Sequence, residues 1–295
     1  MLAQLPANAR VAVIRLRSLG DCVLTTPALS LLKAARPDLE IGIAVEPRFA
    51  PVFERHPAIS RTLEPTINAI RNFQPHLCLN LHGGTRSMWI TAVSAAKFRA
   101  GFAHHKGSWI YNHPIPRAQE ILNVDRKVHT AEHLASAVFH LGVPPTEIPR
   151  ASMYAARWPE TSPYAVIHPV AATPEKTWPA DCFLKVARHL ELEPVFIGGP
   201  TDDLSGFSEF RTIAGAPLEQ TKSLLQSASL FIGNDSGPAH MAAAFGVPVV
   251  VLFGPSDPVV WAPWKTPNQV LTNPNITEIS VEDVIAATDR LKVRA

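Results

Sequence analysis

Short runs of aliphatic and β-branched residues alternate along the chain with segments whose apolar residues recur at helical spacing, a pattern that predicts parallel α/β layers. Residues 11–16, 41–45 and 77–81 read as buried strands of the first half. Between the first two, Leu24, Ala28, Leu31, Leu32 and Ala35 fall on one face of a helix, with Pro27 either in its first turn or kinking it. A loop-rich stretch at 101–117 and a helical segment at 129–141 follow. The alternation then restarts, with strands expected at 165–168, 194–197, 230–232 and 248–253 and helices near 181–190, 204–214, 218–228 and 240–245. Proline-rich segments around Val143-Pro144-Pro145 and from Trp158-Pro159 to Ser162-Pro163 flank the join. Two Rossmann-like domains are therefore expected, 1–157 and 158–295, with the last helix placed to pack back on the first. Two such domains in tandem are expected to leave a cleft between the carboxyl ends of their sheets, where ligands of open α/β sheets bind.

Composition narrows the class. Pro and Gly number 28 and 15 in 295 residues, well short of a low-complexity chain. The longest apolar stretch, residues 241–254, is interrupted by Pro248 and too short to span a bilayer. Gln4, Pro6, Asn8, Arg10 and Arg15 break up the start of the chain, so no secretory leader is expected and a cytoplasmic location is. Cys22, Cys78 and Cys182 lie far apart without CxxC spacing, which suits buried thiols in a reducing compartment. The two halves differ in charge. Residues 1–150 carry 17 Lys and Arg against 10 Asp and Glu, whereas 151–295 carry 10 against 15. The basic half suits an anionic partner, or else the charges complement each other between domains.

Two strand-to-helix turns could carry chemistry. After the first strand, Arg15-Leu16-Arg17-Ser18-Leu19-Gly20-Asp21 lacks both GxGxxG and the phosphate-loop pattern, leaving Asp21 as a lone carboxylate where α/β enzymes hold functional groups. The same position equally suits a helix cap. In the second half, Gly233-Asn234-Asp235-Ser236-Gly237-Pro238-Ala239-His240 lies between a strand and a helix. Its amides and helix dipole make a diphosphate site, Ser236 adds a hydroxyl and Gly237 permits close approach; the alternative is a plain capped helix. Lys176 follows His168-Pro169, placing a cation near those phosphates. Asp202, after Gly198-Gly199-Pro200-Thr201, is a candidate for a ribose diol or, equally, a helix cap, with Asp203 the less favoured neighbour. His82 ends a strand of the first half and could meet an acceptor, while His104-His105 lacks the companions a metal site needs.

These residues together resemble the ADP-heptose:lipopolysaccharide heptosyltransferases, glycosyltransferase family 9, of the α/β GT-B fold, in which two Rossmann-like domains face each other across a cleft. The resemblance runs through residues 17–29, His168-Pro169 with Lys176-Thr-Trp-Pro179, Gly198-Gly-Pro-Thr-Asp202, and Asp235-Ser-Gly-Pro-Ala-His240 continuing to Gly254-Pro-Ser-Asp-Pro258. It implies an inverting glycosyltransferase that moves a sugar, expected to be heptose, from a nucleotide-diphosphate donor such as ADP-heptose to an anionic glycolipid of lipopolysaccharide type. By the resemblance, Asp21 is the general base. Lys176 meets the phosphates, Asp202 the ribose, Asp235 the donor sugar, and Ser236 and Gly237 the diphosphate, with His240 nearby. Arg15, Arg17, Ser18 and His82 are expected on the acceptor side. No metal and no cofactor is expected, and no nucleic acid; a salt-sensitive peripheral contact with the inner membrane is. A sugar-nucleotide epimerase or hydrolase of the same fold is the alternative.

Overall fold

The computed structural model describes residues 1–160 and 162–291 and contains two compact units, Met1–Tyr154 and Ala155–Ala295. The break falls after Tyr154, just ahead of the join expected after residue 157.

The first unit runs β1 (Arg10–Ile14), α1 (Leu19–Ala35), β2 (Glu40–Ala44), β3 (Arg61–Leu63), α2 (Ile67–Phe73), β4 (Leu77–Asn80), α3 (Thr85–Ala92), β5 (Phe98–Phe102), β6 (His113–Ile115), α4 (Ala118–Leu122) and α5 (Thr130–Leu141). Its six strands are all parallel in the order β3-β2-β1-β4-β5-β6. The chain therefore reverses its direction of winding between β1 and β4, and loops leaving these two strands flank one crevice. Val11, Ala12, Val13 and Ile14 are fully buried, as a central strand covered on both faces requires. Helix α1 is apolar nearly all round and packs on α5. Pro27 lies well inside α1, beyond the first turn where one reading had placed it. It cannot donate to the Val23 carbonyl; the Thr26 hydroxyl does so instead at 2.8 Å. Cys22 and Cys78 are buried free thiols, both pushed up to about 12 by burial, and Cys182 is a half-buried one.

The second unit repeats the plan with β7 (Tyr164–His168), α6 (Ala180–His189), β8 (Glu193–Gly198), β9 (Arg211–Ala214), α7 (Leu218–Ser227), β10 (Leu230–Asn234), α8 (Gly237–Phe245), β11 (Val249–Phe253), α9 (Pro258–Trp261), β12 (Asn268–Thr272) and α10 (Val281–Arg290). The strand order is β12-β11-β10-β7-β8-β9, again parallel, with the reversal between β7 and β10. Its core gathers Trp178, Phe183, Phe196, Ile232, Leu252 and Val284. The helix expected at 204–214 does not form. Ser205–Phe207 is a single 3-10 turn and Arg211–Ala214 is an edge strand, because Gly206 and two serines weaken helix there while residues 211–214 alternate at strand period. The last helix, α10, packs on α6 and on β11 and β12 within the second unit.

Candidate functional site

The turn between β1 and α1 brings together most of the groups expected on the acceptor side. Ser18 is the N-cap of α1 and Asp21 its third residue. The Ser18 amide donates to Asp21 Oδ2 at 3.4 Å and the Ser18 hydroxyl at 3.0 Å, so Asp21 does cap the helix. Its other oxygen, Oδ1, lies 3.3 Å from Arg15 Nη1, and the carboxylate retains 23% of its side-chain exposure. Arg15, expected to reach an acceptor, is instead buried behind this carboxylate, and its Nε has no hydrogen-bond partner among the described residues. Burial pulls the guanidinium below its usual range, against the pull of Asp21. Arg17 and Ser18 are exposed at the same turn.

Across the crevice, the loop after β4 presents His82. Buried Asn80 holds it, accepting from the amides of His82 at 3.0 Å and Gly83 at 3.2 Å while its Nδ2 donates to Ser87 Oγ and Tyr111 Oη. Gly83 has a positive φ of 77° and leaves no room for a Cβ against the His105 ring. His82 is held below the ordinary imidazole range by burial and by Arg15. Burial, with the neighbouring His104 and Arg15 charges, lowers His105 to about 4 and His133 to about 4. His133 stacks on Phe102 with ring centroids 3.9 Å apart. Asp21 thus faces imidazoles that stay neutral at pH 7, able to exchange hydrogen bonds with hydroxyl groups. His105 and His133 were not among the residues expected here.

In the second unit the loops following β7, β8, β10 and β11 converge at the carboxyl edge. Lys176 Nζ lies 3.2 Å from Asp235 Oδ2, joining the first and third of them, and the Trp178 amide donates to Asn234 Oδ1 at 3.0 Å. A Cβ on Gly254 would stand 2.5 Å from the Glu175 carbonyl, so glycine lets the loop after β11 press against the Lys176 turn. Ser236 is the N-cap of α8, yet its hydroxyl is not spent on the helix amides; it bonds His168 Nδ1 at 3.1 Å. The first turn of α8, where Pro238 supplies no amide, is thus left without a side-chain cap at the positive end of the helix. Burial holds His168 at about 4, opposed by the nearby Asp202 charge. Asp202 Oδ2 accepts from the Gly199 amide at 2.7 Å, closing its own loop rather than capping a helix. Asp203 accepts from the Ser205 amide. His240 is buried inside α8, its ring 6.5 Å from that of Trp261. His168 was read only as the start of a loop, and its bond to Ser236, 68 positions away, is not visible in sequence.

A cavity of about 400 Å³ lined by Trp158, Glu160, Gln226 and Ser229 belongs to segments preceding β7 and β10, at the opposite edge of the same sheet from these loops. Among the described residues no group of three or more His, Cys, Asp or Glu could hold a metal ion, and no helix is long and apolar enough to cross a membrane.

A helix N-terminus with an adjoining lysine has the chemistry to hold a diphosphate, and a carboxylate beside imidazoles the chemistry to accept a hydroxyl proton. Comparisons with known proteins give the family and the fold. Lipopolysaccharide heptosyltransferase 3 of Escherichia coli K12 is 28% identical over an alignment covering 92% of this chain and 95% of that protein. The glycosyl transferase family 9 structure from Veillonella parvula superposes with a TM-score of 0.84 at 24% identity, covering 96% of this chain and 97% of that one. E. coli heptosyltransferase WaaC, solved with ADP, superposes with a TM-score of 0.77 at 17% identity, covering 95% and 99%. The fold is thus GT-B, an α/β architecture. The family model of glycosyltransferase family 9 (heptosyltransferase) matches residues 66–285, and the chain belongs to that family.

Proposed function

We propose that this glycosyltransferase moves heptose from ADP-heptose to an anionic glycolipid of lipopolysaccharide type in one inverting displacement. The observation that carries the reading is the N-terminus of α8. There Ser236 is tied to a buried His168 instead of capping the helix, and Lys176 pairs with Asp235 at the same strand-to-helix turn. These groups suit the two phosphates of a nucleotide sugar, with Asp202 near the ribose and Asp235 near the sugar hydroxyls. The choice of ADP is supported by the nucleotide bound to the E. coli relative.

In the proposed step an acceptor oxygen attacks the anomeric carbon as the bond from that carbon to the diphosphate oxygen breaks. The leaving diphosphate keeps the electron pair, and the acceptor proton passes to Asp21. Arg15 holds that carboxylate in place from its buried side, while the Ser18 hydroxyl fixes one of its oxygens. Charge growing on the diphosphate is met by Lys176 and the α8 amides, so the residues of the chain supply the stabilisation without a divalent ion. The basic first unit suits an acceptor rich in phosphate and acidic sugars, reached at the cytoplasmic face of the inner membrane.

A panel of nucleotide sugars, with released nucleoside diphosphate as the readout and with or without a lipopolysaccharide core acceptor, tests this. Turnover is expected with ADP-heptose and only with acceptor present. Equal release of nucleoside diphosphate without any acceptor would instead support a hydrolase, and conversion of the donor into an isomeric nucleotide sugar without such release an epimerase.

A further inference from the structure

The first unit exposes two tryptophans, Trp109 at 79% and Trp89 at 52%, that neither the core nor the crevice uses. They sit on neighbouring crossovers. Trp89 is on α3, which follows β4, and Trp109 is in the 3-10 turn Ser108–Ile110 between β5 and β6. The two crossovers touch through Met88, whose Sδ fills the space where a side chain at Gly107 would stand. Both tryptophans therefore flank one contact on one side of the sheet.

The chain around them has an unusual charge pattern. Residues 65–119 contain no Asp or Glu but include Arg71, Arg86, Lys97, Arg99, Lys106 and Arg117. Arg99 is spent on the carbonyls of Ala96 and Ile110. Lys106 is exposed three residues before Trp109, and Arg86, also exposed, lies one turn before Trp89 on α3. The acidic neighbour of Arg86 is Glu46, whose carboxylate stands 3.8 Å away. A burial-driven protein interface would be depleted of such exposed lysine, whereas indoles beside an exposed lysine and a loosely paired, exposed arginine suit a bilayer surface. There indole rings settle at the headgroup level and lysine or arginine faces lipid phosphates.

We infer that Trp89 and Trp109, with Lys106 and Arg86, form the patch by which this protein docks on an anionic phospholipid surface. The inference deepens the proposed function, in which the acceptor is a membrane lipid, and rests on it for its purpose. It gives the enzyme a way to stay beside a lipid substrate between turnovers. Binding through two indoles and a few cations would be reversible and weakened by salt.

The test is co-sedimentation of the intact protein with vesicles of phosphatidylcholine alone or mixed with phosphatidylglycerol, together with quenching of tryptophan fluorescence by brominated lipid. No donor or acceptor is needed, so failure here is separable from failure of the transferase assignment. Binding and quenching are expected with the anionic vesicles and should decline in high salt. The W89A/W109A double variant should lower the partition by about tenfold or more, and K106E by about fivefold or more. All three substitutions are at exposed positions, and an unchanged melting temperature checks the fold. The double variant should also keep turnover on a delipidated core oligosaccharide while losing it on vesicle-borne acceptor. Absence of binding by the parent protein, or equal binding by the double variant, would overturn the inference. So would a parent dimer that the double variant dissolves, since the patch would then serve a second copy of the chain.

Discussion

Replacing Asp21 with asparagine separates its two roles, capping α1 and taking the acceptor proton. Asparagine keeps the shape and one oxygen for the Ser18 amide but removes the negative charge 3.3 Å from buried Arg15. Removing one partner of a fully buried pair costs about 3–5 kcal/mol. Asp21 is 23% exposed, so water recovers part of this and a loss of about 1–3 kcal/mol is expected, visible as a melting temperature lower by several degrees. The effect on rate should be larger. A positioned base contributes about 10²–10⁴-fold, equivalent to about 3–5 kcal/mol of barrier. Turnover should be followed by release of nucleoside diphosphate at saturating donor, well below the melting temperature of the variant, with ADP affinity measured by calorimetry. The expected outcome is a collapse of kcat with ADP affinity unchanged, because the nucleotide groups belong to the second unit. A folded variant whose kcat stays within about tenfold of the parent would refute the assignment of Asp21 as base.

Three further outcomes are expected. Lys176→Ala should weaken ADP binding by about 10- to 100-fold, since it deletes a charge-assisted contact and leaves Asp235 unpaired near the phosphates; equal calorimetric affinity would contradict the contact. The protein should lose stability as pH falls from 6.5 towards 4. His168, His105, His133 and His56 are each held at about 4 by burial, so in this window the unfolded chain binds protons that the folded one refuses. Denaturant midpoints at pH 7, 6 and 5 would show this, and a flat or rising series would contradict it. Full turnover should persist in excess chelator; loss restored by Mg²⁺ or Mn²⁺ would contradict the metal-free mechanism.

The central strands were legible because burial on both faces leaves uninterrupted aliphatic runs, as in Val11-Ala12-Val13-Ile14 and Val249–Phe253. Edge strands were not. Arg61–Leu63 and Arg211–Ala214 are short and half-exposed, and their mixed composition resembles loop or helix. The two turns that carry Asp21 and Ser236 were legible from their position after a strand, since a strand-to-helix turn at a change of winding direction is where α/β sheets bind ligands. What surrounds these residues was not. The Ser236–His168 bond and the Asn80–Tyr111 bond join segments 68 and 31 positions apart, and only the strand order brings them together. The surroundings of Arg15 were hidden for the same reason: a cation following a buried strand looks solvent-facing in sequence, yet the fold closes over it and pairs it with Asp21.

The anomeric configuration of the transferred sugar tests the single-displacement mechanism most directly. With ADP-heptose of defined configuration as donor, the one-bond carbon–hydrogen coupling at the new glycosidic carbon reports which face was attacked. Inversion relative to the donor is the expected result, whereas retention would require a covalent or internal-return route and would contradict direct attack by a hydroxyl deprotonated by Asp21.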